Sequence, residues 1–231
     1  MNRKLTSAHR QKRELHVPRP HRKGNIKIPY EGWLEAAKVV LIEEGIGNVK
    51  VDRLARRLKV TRGGFYYHFK SHHALLEDLL KRWRTQNGFV TEGIDTSTPR
   101  ASLEALNRLT DILIHERGFD PQFDLAVREW ARISIPVAEV VSAVDEERIQ
   151  ALTRILLGLG CKPKEADIRA KVFYYHQIGY YALGVHESTS TREANLPTYL
   201  AVLCGENYVE AAAKADGGIR TGEKPARWTS R

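Results

Sequence analysis

The chain has 231 residues, 42% of them hydrophobic, and its 37 Lys and Arg outnumber its 28 Asp and Glu to give a net charge of +9. No run of the sequence approaches the ~18 consecutive apolar residues of a membrane-spanning helix, and the first residues lack the apolar core of a secretory signal. The two cysteines, Cys161 and Cys204, are too few for a disulfide framework and do not have metal-ligand spacing. The composition favours a cytoplasmic globular protein with reduced thiols, and we expect no cofactor, no bound metal and no membrane partner.

The excess of positive charge is confined to the first third of the chain. Residues 1–29 contain nine basic residues against one acidic residue, residues 30–85 contain eleven against seven, and the remainder contains 17 against 20. This asymmetry predicts a polyanion-binding end joined to a neutral body. Charge alone leaves open whether the polyanion is a nucleic acid or an acidic membrane.

The N-terminal part of the sequence predicts a basic arm followed by four helices. Residues 1–29 contain three prolines and almost no apolar periodicity, which is typical of a disordered arm. Apolar residues then recur at helical spacing, glycines interrupt the pattern at Gly45 and Gly47, and Ser71 stands where it can cap a further helix. The predicted helices lie at 31–45, 51–58, 62–69 and 71–83, within a domain of residues 30–85.

The sequence from residue 86 to residue 215 predicts a second helical domain, followed by a flexible tail at 216–231. A last helical region is predicted from Pro197 to Lys214, broken at Gly205. No segment shows sustained period-two alternation, so the predicted fold class is all-α. The other helix starts are marked by prolines, at Thr98-Pro99, Asp120-Pro121, Pro136 and Pro163.

The second and third predicted helices have the pattern of a helix-turn-helix. They are short and separated by a tight turn at 59–61; Ala55 is the small residue needed where they cross, and Phe65 is a hydrophobic plug ten residues later. The solvent face is basic, as the neutralisation of phosphates requires, and Asp52 is the one acidic residue between positions 50 and 70. The basic residues are Lys50, Arg53, Arg56, Arg57, Lys59, Arg62 and Lys70.

The stretch from Val51 to Ser71 resembles the signature of the tetracycline-repressor family, above all in its run Phe-Tyr-Tyr-His-Phe-Lys-Ser. The close resemblance covers about residues 31–84. It implies an N-terminal three-helix helix-turn-helix domain that binds DNA and a C-terminal helical domain for ligand binding and dimerisation. It further implies an unknown small-molecule effector and a homodimer on a near-palindromic double-stranded DNA operator, with recognition helices ~34 Å apart.

The resemblance also implies, position by position, which residues contact DNA. Thr61 would cap the recognition helix and reach a phosphate, and Tyr66 and Tyr67 would meet phosphates and thymine methyls. Adjacent residues cannot both face inward on a helix, so at least one of these tyrosines is expected to be exposed. Lys59 stands where the family usually has Gly, at a small cost if its backbone is left-handed. The expected DNA contacts are Lys50, Arg53, Thr61, Arg62, Gly63, Gly64, Tyr66, Tyr67, His68, Lys70 and His72.

The resemblance places the dimer interface and the ligand pocket in the second domain. The helical regions 165–183 and 197–214 would pair with those of a partner, and Ala170, Phe173 and Leu200 are among the apolar residues expected on their faces. Residues that could give a pocket aromatic walls and polar handles can equally be ordinary core or interface residues. They are His115, Phe123, Trp130, Tyr174, His176 and Tyr180.

We therefore expect a transcriptional repressor that a small-molecule effector releases from its operator. An activator and a non-specific architectural DNA-binding protein would share the motif, and the arm at 1–29 is either a minor-groove arm or a disordered leader. An enzyme is the contrasting class. The sequence lacks a nucleophile elbow, a phosphate loop, a zinc signature and a paired-carboxylate arrangement, which argues against catalysis.

Overall fold

The computed structural model describes residues 27–88 and 93–215; most of the predicted arm and the whole predicted tail lie outside these ranges. Within them the chain forms ten α-helices, a 3₁₀ turn at Ile46–Asn48 and no strand, which confirms the all-α class. None of these helices is long and apolar enough to cross a lipid bilayer. The helices are α1 (Tyr30–Glu44), α2 (Val51–Arg57), α3 (Gly63–His68), α4 (His72–Gln86), α5 (Pro99–His115), α6 (Pro121–Ala131), α7 (Ile135–Gly158), α8 (Pro163–Ala182), α9 (Thr189–Cys204) and α10 (Glu206–Ala215).

Local sequence accounts for the N-terminal helices. α1 buries one face that includes Trp33, Ala37 and Val40, as its apolar spacing predicts. It ends at Gly45, whose φ of 79° is a conformation that other residues rarely adopt. α4 begins where predicted, because the Oγ of Ser71 accepts a hydrogen bond from a backbone N–H of the first turn at 3.1 Å.

The predicted starts of α5 and α6 are also confirmed. The side chain of Thr98 accepts from the backbone N–H of Ala101 at 3.1 Å, and the side chain of Asp120 accepts from the backbone N–H of Phe123 at 3.0 Å. Each cap satisfies an N–H that has no partner within the helix, and the proline that follows each cap sits where no N–H is needed.

The predicted start of the last helical region at Pro197 is wrong. α9 begins at Thr189, and Pro197 lies inside it. The Oγ of Ser188 caps the helix by accepting from a first-turn N–H at 3.1 Å, and Leu200 is buried one turn beyond the proline. The cap and this burial offset the hydrogen bond that Pro197 cannot donate. The predicted break at Gly205 is confirmed, where φ is 79°.

One apolar core is shared by α1–α4, α6 and the first part of α7. It joins Trp33 and Trp83 of the N-terminal helices to Phe123 and Trp130 of α6 and to Val141 of α7. α6 and α7 therefore pack directly on the N-terminal helices, and the apolar core continues across the boundary predicted at residues 85/86.

A second core is formed by α5, the later part of α7, α8, α9 and α10. Leu106, Ile155, Phe173 and Leu200 are buried in it. Because α7 contributes to both cores, it links the N-terminal helices to the helices at the far end of the molecule.

Candidate nucleic-acid interface and effector cavity

The crossing of α2 and α3 is held by the residues that the motif requires. Ala55 and Phe65 are both buried, as predicted. The Phe65 ring stacks on Phe69 with centroids 5.1 Å apart and meets Trp33 edge-on at 5.5 Å. This aromatic cluster fixes the inner face of α3 against α1, so the opposite face of α3 is presented outward.

The turn between α2 and α3 forces Lys59 into the left-handed region. Its φ is 56°. The backbone N–H of Val60 donates to Ala55 O at 3.0 Å, and that of Lys59 donates to Arg56 O at 3.1 Å. This pair of bonds is a Schellman motif, which usually has glycine at the left-handed position. Lys59 therefore has the left-handed backbone whose steric cost was anticipated from the sequence.

The outward face of α3 is aromatic and basic. Tyr66 is 60% exposed and Tyr67 is 85% exposed, so both tyrosines face away from the core. Thr61, Arg62 and Lys70 are exposed on either side of them. The expectation that Thr61 caps α3 is wrong: Arg62 occupies the N-cap position, its backbone is already helical, and no side chain caps the helix.

Gly63 and Gly64 begin α3, and packing within the protein does not demand either of them. A Cβ added at Gly63 would lie 3.6 Å from the Oγ1 of Thr61, and one added at Gly64 would lie 3.5 Å from Trp33, which are ordinary contacts. Both residues are exposed. The absence of side chains leaves the backbone at this end of α3 open to a close approach from outside.

The basic residues of the motif fall into two groups. Arg53 is ion-paired with Glu44, Arg57 with Glu43 and Arg62 with Asp52, so these guanidinium groups must exchange partners to reach a phosphate. The second group is exposed and forms no ion pair with any residue in 27–88 or 93–215. It consists of Lys50, Arg56, Lys59 and Lys70.

Two histidines expected at DNA are engaged with the backbone of the protein. Nε2 of His68 lies 2.9 Å from Ile28 O, and Nε2 of His72 lies 2.6 Å from Val49 O. A carbonyl oxygen only accepts, so each Nε2 carries the proton and donates. The His68 bond holds the chain at Ile28 against α3, and Tyr30 stacks on Phe69 at 4.9 Å beside it.

Two of the six expected pocket residues lie together in a cavity between α5, α8 and α9. His176 and Tyr180 line this cavity, which has a volume of about 60 Å³. Phe173, Gln177 and Leu200 are buried at its floor, whereas His176 and Tyr199 are exposed at its mouth with ring centroids 5.2 Å apart. Gln177 and Tyr199 were not among the predicted residues. The only sequence signal for them is helical spacing, because each lies four residues from another lining residue of its own helix, α8 or α9.

The other four expected pocket residues lie elsewhere. Phe123 and Trp130 are buried in the first core. His115 lies 3.1 Å from the carboxylate of Asp111 and 3.5 Å from that of Glu193. Tyr174 belongs to a buried cluster of charged side chains, described next.

A buried ionic network connects α4, α6, α7 and α8. Arg128 donates to both oxygens of Asp145 at 2.9 and 2.8 Å and to Asp124 at 2.7 Å. Asp124 also lies 3.3 Å from Arg148, and it accepts from the indole of Trp83 at 3.0 Å. The Nη2 of Arg148 donates to the backbone carbonyl of α4's C-cap residue at 2.6 Å.

The phenol of Tyr174 completes this network. It donates to Asp145 at 2.6 Å and accepts from Arg128 at 2.9 Å. Burial raises the pKa of Tyr174 to about 12, even though the charges of Arg148 and Arg128 act in the opposite direction. Tyr174 is therefore a neutral hydrogen-bonding member of the network, and it is buried away from the cavity.

α8 and α9 carry an exposed apolar stripe in addition to their buried faces. The buried faces contain Ala170, Phe173 and Leu200, so these three of the residues expected at a dimer interface pack inside the protomer instead. The exposed stripe lies beside these buried faces, because its residues occupy helix positions between the buried ones. It consists of Ile168, Val172 and Tyr175 of α8 and Val202 of α9.

Comparison with known proteins agrees with this geometry. Residues 34–79 match the family described as bacterial regulatory proteins, tetR family. The Transposon Tn10 TetC protein of Escherichia coli is 28% identical over 87 residues, which are 37% of this chain and 44% of that protein, so the match spans less than half of the relative's length. The likeness to the tetR family of regulators therefore lies in the N-terminal helices, α1–α4.

A solved structure agrees with the fold beyond these helices. A transcriptional regulator of the TerR/AcrR family from Aquifex aeolicus VF5 is 20% identical, with a TM-score of 0.57 over 75% of this chain and 98% of that one. A transcriptional regulator from Rhodococcus sp. Rha1 is also 20% identical, with a TM-score of 0.48 over 82% of this chain and 97% of that one. The first of these likenesses shows that this chain has the fold of that regulator.

Proposed function

We propose that this chain is a DNA-binding transcriptional repressor that acts as a homodimer and leaves its operator when a small-molecule effector binds. The observation that carries the proposal is the outward face of α3, where Tyr66 and Tyr67 are both exposed among basic side chains. Large aromatic side chains that face solvent in this way mark surfaces that bind a partner. The match of residues 34–79 to the tetR family of bacterial regulatory proteins supports DNA as that partner.

The chemistry of this face suits the major groove of DNA. Tyrosine hydroxyls bond to phosphates, and their rings contact the methyl groups of thymine. Lys50 and Lys70 are free of ion pairs within the described ranges and supply charge that neutralises phosphates. The bare backbone at Gly63 and Gly64 allows the start of α3 to approach the groove wall closely.

The exposed stripe of α8 and α9 supports a homodimer. Ile168, Val172 and Val202 are each more than half exposed, which is unusual for neighbouring apolar residues unless another surface covers them. A twofold axis through this stripe would bury it against an identical stripe. It would also present two copies of α3 to successive turns of DNA, ~34 Å apart.

Titration of the purified chain against DNA from upstream of its own gene, beside a scrambled duplex at ~150 mM salt, tests DNA recognition. A preference of ~10³-fold or more for the native fragment is expected of a specific regulator. Tyr67→Ala should lower specific affinity about tenfold or more, because an exposed aromatic contact is removed without disturbing the core. Ile133→Ala, which truncates an exposed side chain between α6 and α7, is the matched control.

Two results would overturn parts of the proposal. Equal and steeply salt-dependent binding to both duplexes would indicate an architectural protein that recognises only the DNA backbone. Specific binding together with lower transcription from the adjacent promoter when the gene is deleted would indicate an activator. Specific binding with higher transcription after deletion is the result expected of a repressor.

A further inference from the structure

The cavity between α5, α8 and α9 contains a buried polar group that the protein leaves unpaired. Gln177 lines the cavity, and only 9% of its surface is exposed. Its Nε2 is buried and has no hydrogen-bond partner among residues 27–88 and 93–215. A buried amide without a partner is unfavourable, so this donor favours any occupant of the cavity that can accept a hydrogen bond.

The charged groups of the cavity wall already have partners. The hydroxyl of Tyr180 donates to Glu187 at 3.0 Å. Arg192 donates to the carbonyl oxygens of Leu113 and Ile114 at 2.7 and 3.1 Å. An occupant therefore does not need a charge to satisfy the wall.

The rest of the cavity is apolar or aromatic. Phe173 and Leu200 form the floor beside Gln177, and the rings of His176 and Tyr199 flank the mouth. Partial burial lowers the pKa of His176 below its ordinary value, so its ring is neutral at pH 7 and presents a flat surface to a ligand. Such a lining is typical of sites for small molecules with an apolar body and few polar groups.

We propose that this cavity binds a small uncharged molecule with a ring-shaped apolar body and one carbonyl-type oxygen, which accepts the hydrogen bond of the Gln177 amide. This molecule would be the effector of the regulator, so that assignment rests on the proposed function. Binding at the cavity itself follows from the lining alone.

The size of the cavity couples its occupation to the dimer face. Its volume of about 60 Å³ is well below the ~150 Å³ of a cavity that holds benzene. A ring must therefore extend between His176 and Tyr199 and move them apart. Tyr199 lies three residues before Val202 of the exposed stripe, so a displacement of α9 at the mouth also shifts the surface that pairs with the partner. The effector then favours the dimer arrangement with α9 displaced over the arrangement of the unoccupied protein.

Calorimetric titration of the full chain in the absence of DNA tests this site with three probes. Acetophenone has a ring and a carbonyl, ethylbenzene has the ring alone, and benzoate adds a charge. Acetophenone should bind roughly 5- to 10-fold more tightly than ethylbenzene, as expected for one buried hydrogen bond, and benzoate should bind most weakly. In Gln177→Leu the preference for acetophenone should disappear, because the donor is gone while the apolar walls remain.

Control variants separate this effect from a change in folding. Gln177→Met keeps the length of the side chain and should lose the preference in the same way, and thermal unfolding reports whether either variant folds. Gln150→Leu makes the same substitution on an exposed position of α7 and should leave the preference intact. Equal binding of acetophenone and ethylbenzene to the unmodified chain, absence of binding by both, or a preference that persists without the Gln177 amide would each overturn the proposal.

A parallel DNA titration keeps the site and the regulatory function distinguishable. If the probes behave as expected but the chain fails to prefer its own upstream DNA, the cavity site stands and the regulator fails. If specific DNA binding is intact but the probes are not discriminated, the regulator stands and this ligand site fails.

Discussion

The two ends of the molecule differ in how they bring their functional residues together. The surface proposed to face DNA is built from one continuous stretch, in which Lys50 and Lys70 bracket α2, the turn and α3. The cavity instead gathers Thr110 of α5, Gln177 of α8 and Leu200 of α9. The first arrangement is specified locally and tolerates changes elsewhere, whereas the second exists only when three helices pack correctly.

The ionic network stands between these two ends. It fixes the end of α4 to α6 and α7 through Trp83, Asp124 and Arg148. A displacement of the C-terminal helices can therefore reach the N-terminal helices through directional bonds as well as through the shared apolar core. Substitutions in the network and at each end test how far the two ends depend on each other.

The largest expected effect is on the network. Asp124→Ala removes the buried carboxylate that the guanidinium groups of Arg128 and Arg148 both contact. Removing one partner from a buried ion pair typically costs about 3–5 kcal/mol of unfolding free energy. Urea denaturation followed by circular dichroism measures this loss.

The exposed carboxylate of the same helix provides the control for that measurement. Glu129→Ala removes only a surface pair with Arg132 at 3.6 Å, which should change the unfolding free energy by less than about 0.5 kcal/mol. A loss below about 1 kcal/mol for Asp124→Ala would mean that the network does not join the two ends energetically.

The next effect concerns the apolar stripe. Val172→Glu places a charge at the centre of the proposed dimer face, where burial without a partner is strongly unfavourable. We expect a monomer in sedimentation equilibrium and a fall in operator affinity of roughly 100-fold or more. Secondary structure should be unchanged, since Val172 is exposed in the protomer.

Ile133→Glu tests whether the loss of the dimer in Val172→Glu depends on the position of the new charge. Ile133 is exposed between α6 and α7, away from α8 and α9. This variant should remain dimeric and bind DNA normally. A dimer that survives Val172→Glu would show that the chain does not dimerise through the stripe.

The smallest effect lies in the turn of the DNA-facing end. Lys59→Gly should raise the unfolding free energy by about 0.5–1 kcal/mol, because glycine adopts the left-handed conformation of this turn without a steric cost. Arg56→Gly, on the exposed face of α2, should lower it by about 1 kcal/mol. If Lys59→Gly and Arg56→Gly lowered the unfolding free energy alike, the left-handed backbone of Lys59 would carry no steric cost that glycine relieves.

The sequence predicted the helix-turn-helix well because its determinants are short-range. The spacing of Ala55 and Phe65 specifies the crossing of two helices, and both residues are buried as expected. Ser71, Thr98 and Asp120 cap the helices that they were expected to begin. The length of α9 was predicted incorrectly because Pro197 is a strong local stop signal that packing and an earlier cap override.

The sequence alone therefore determined the all-α class, most helix boundaries and the helix-turn-helix, since these follow from periodicity and capping within a few residues of each position. Only the tertiary structure decided which aromatic residues line a cavity. His176 and Tyr180 do, whereas Tyr174, on the same helix, turns into the ionic network. All three have similar side chains and helical spacing, and their roles differ because each faces a different neighbouring helix, which no local pattern records.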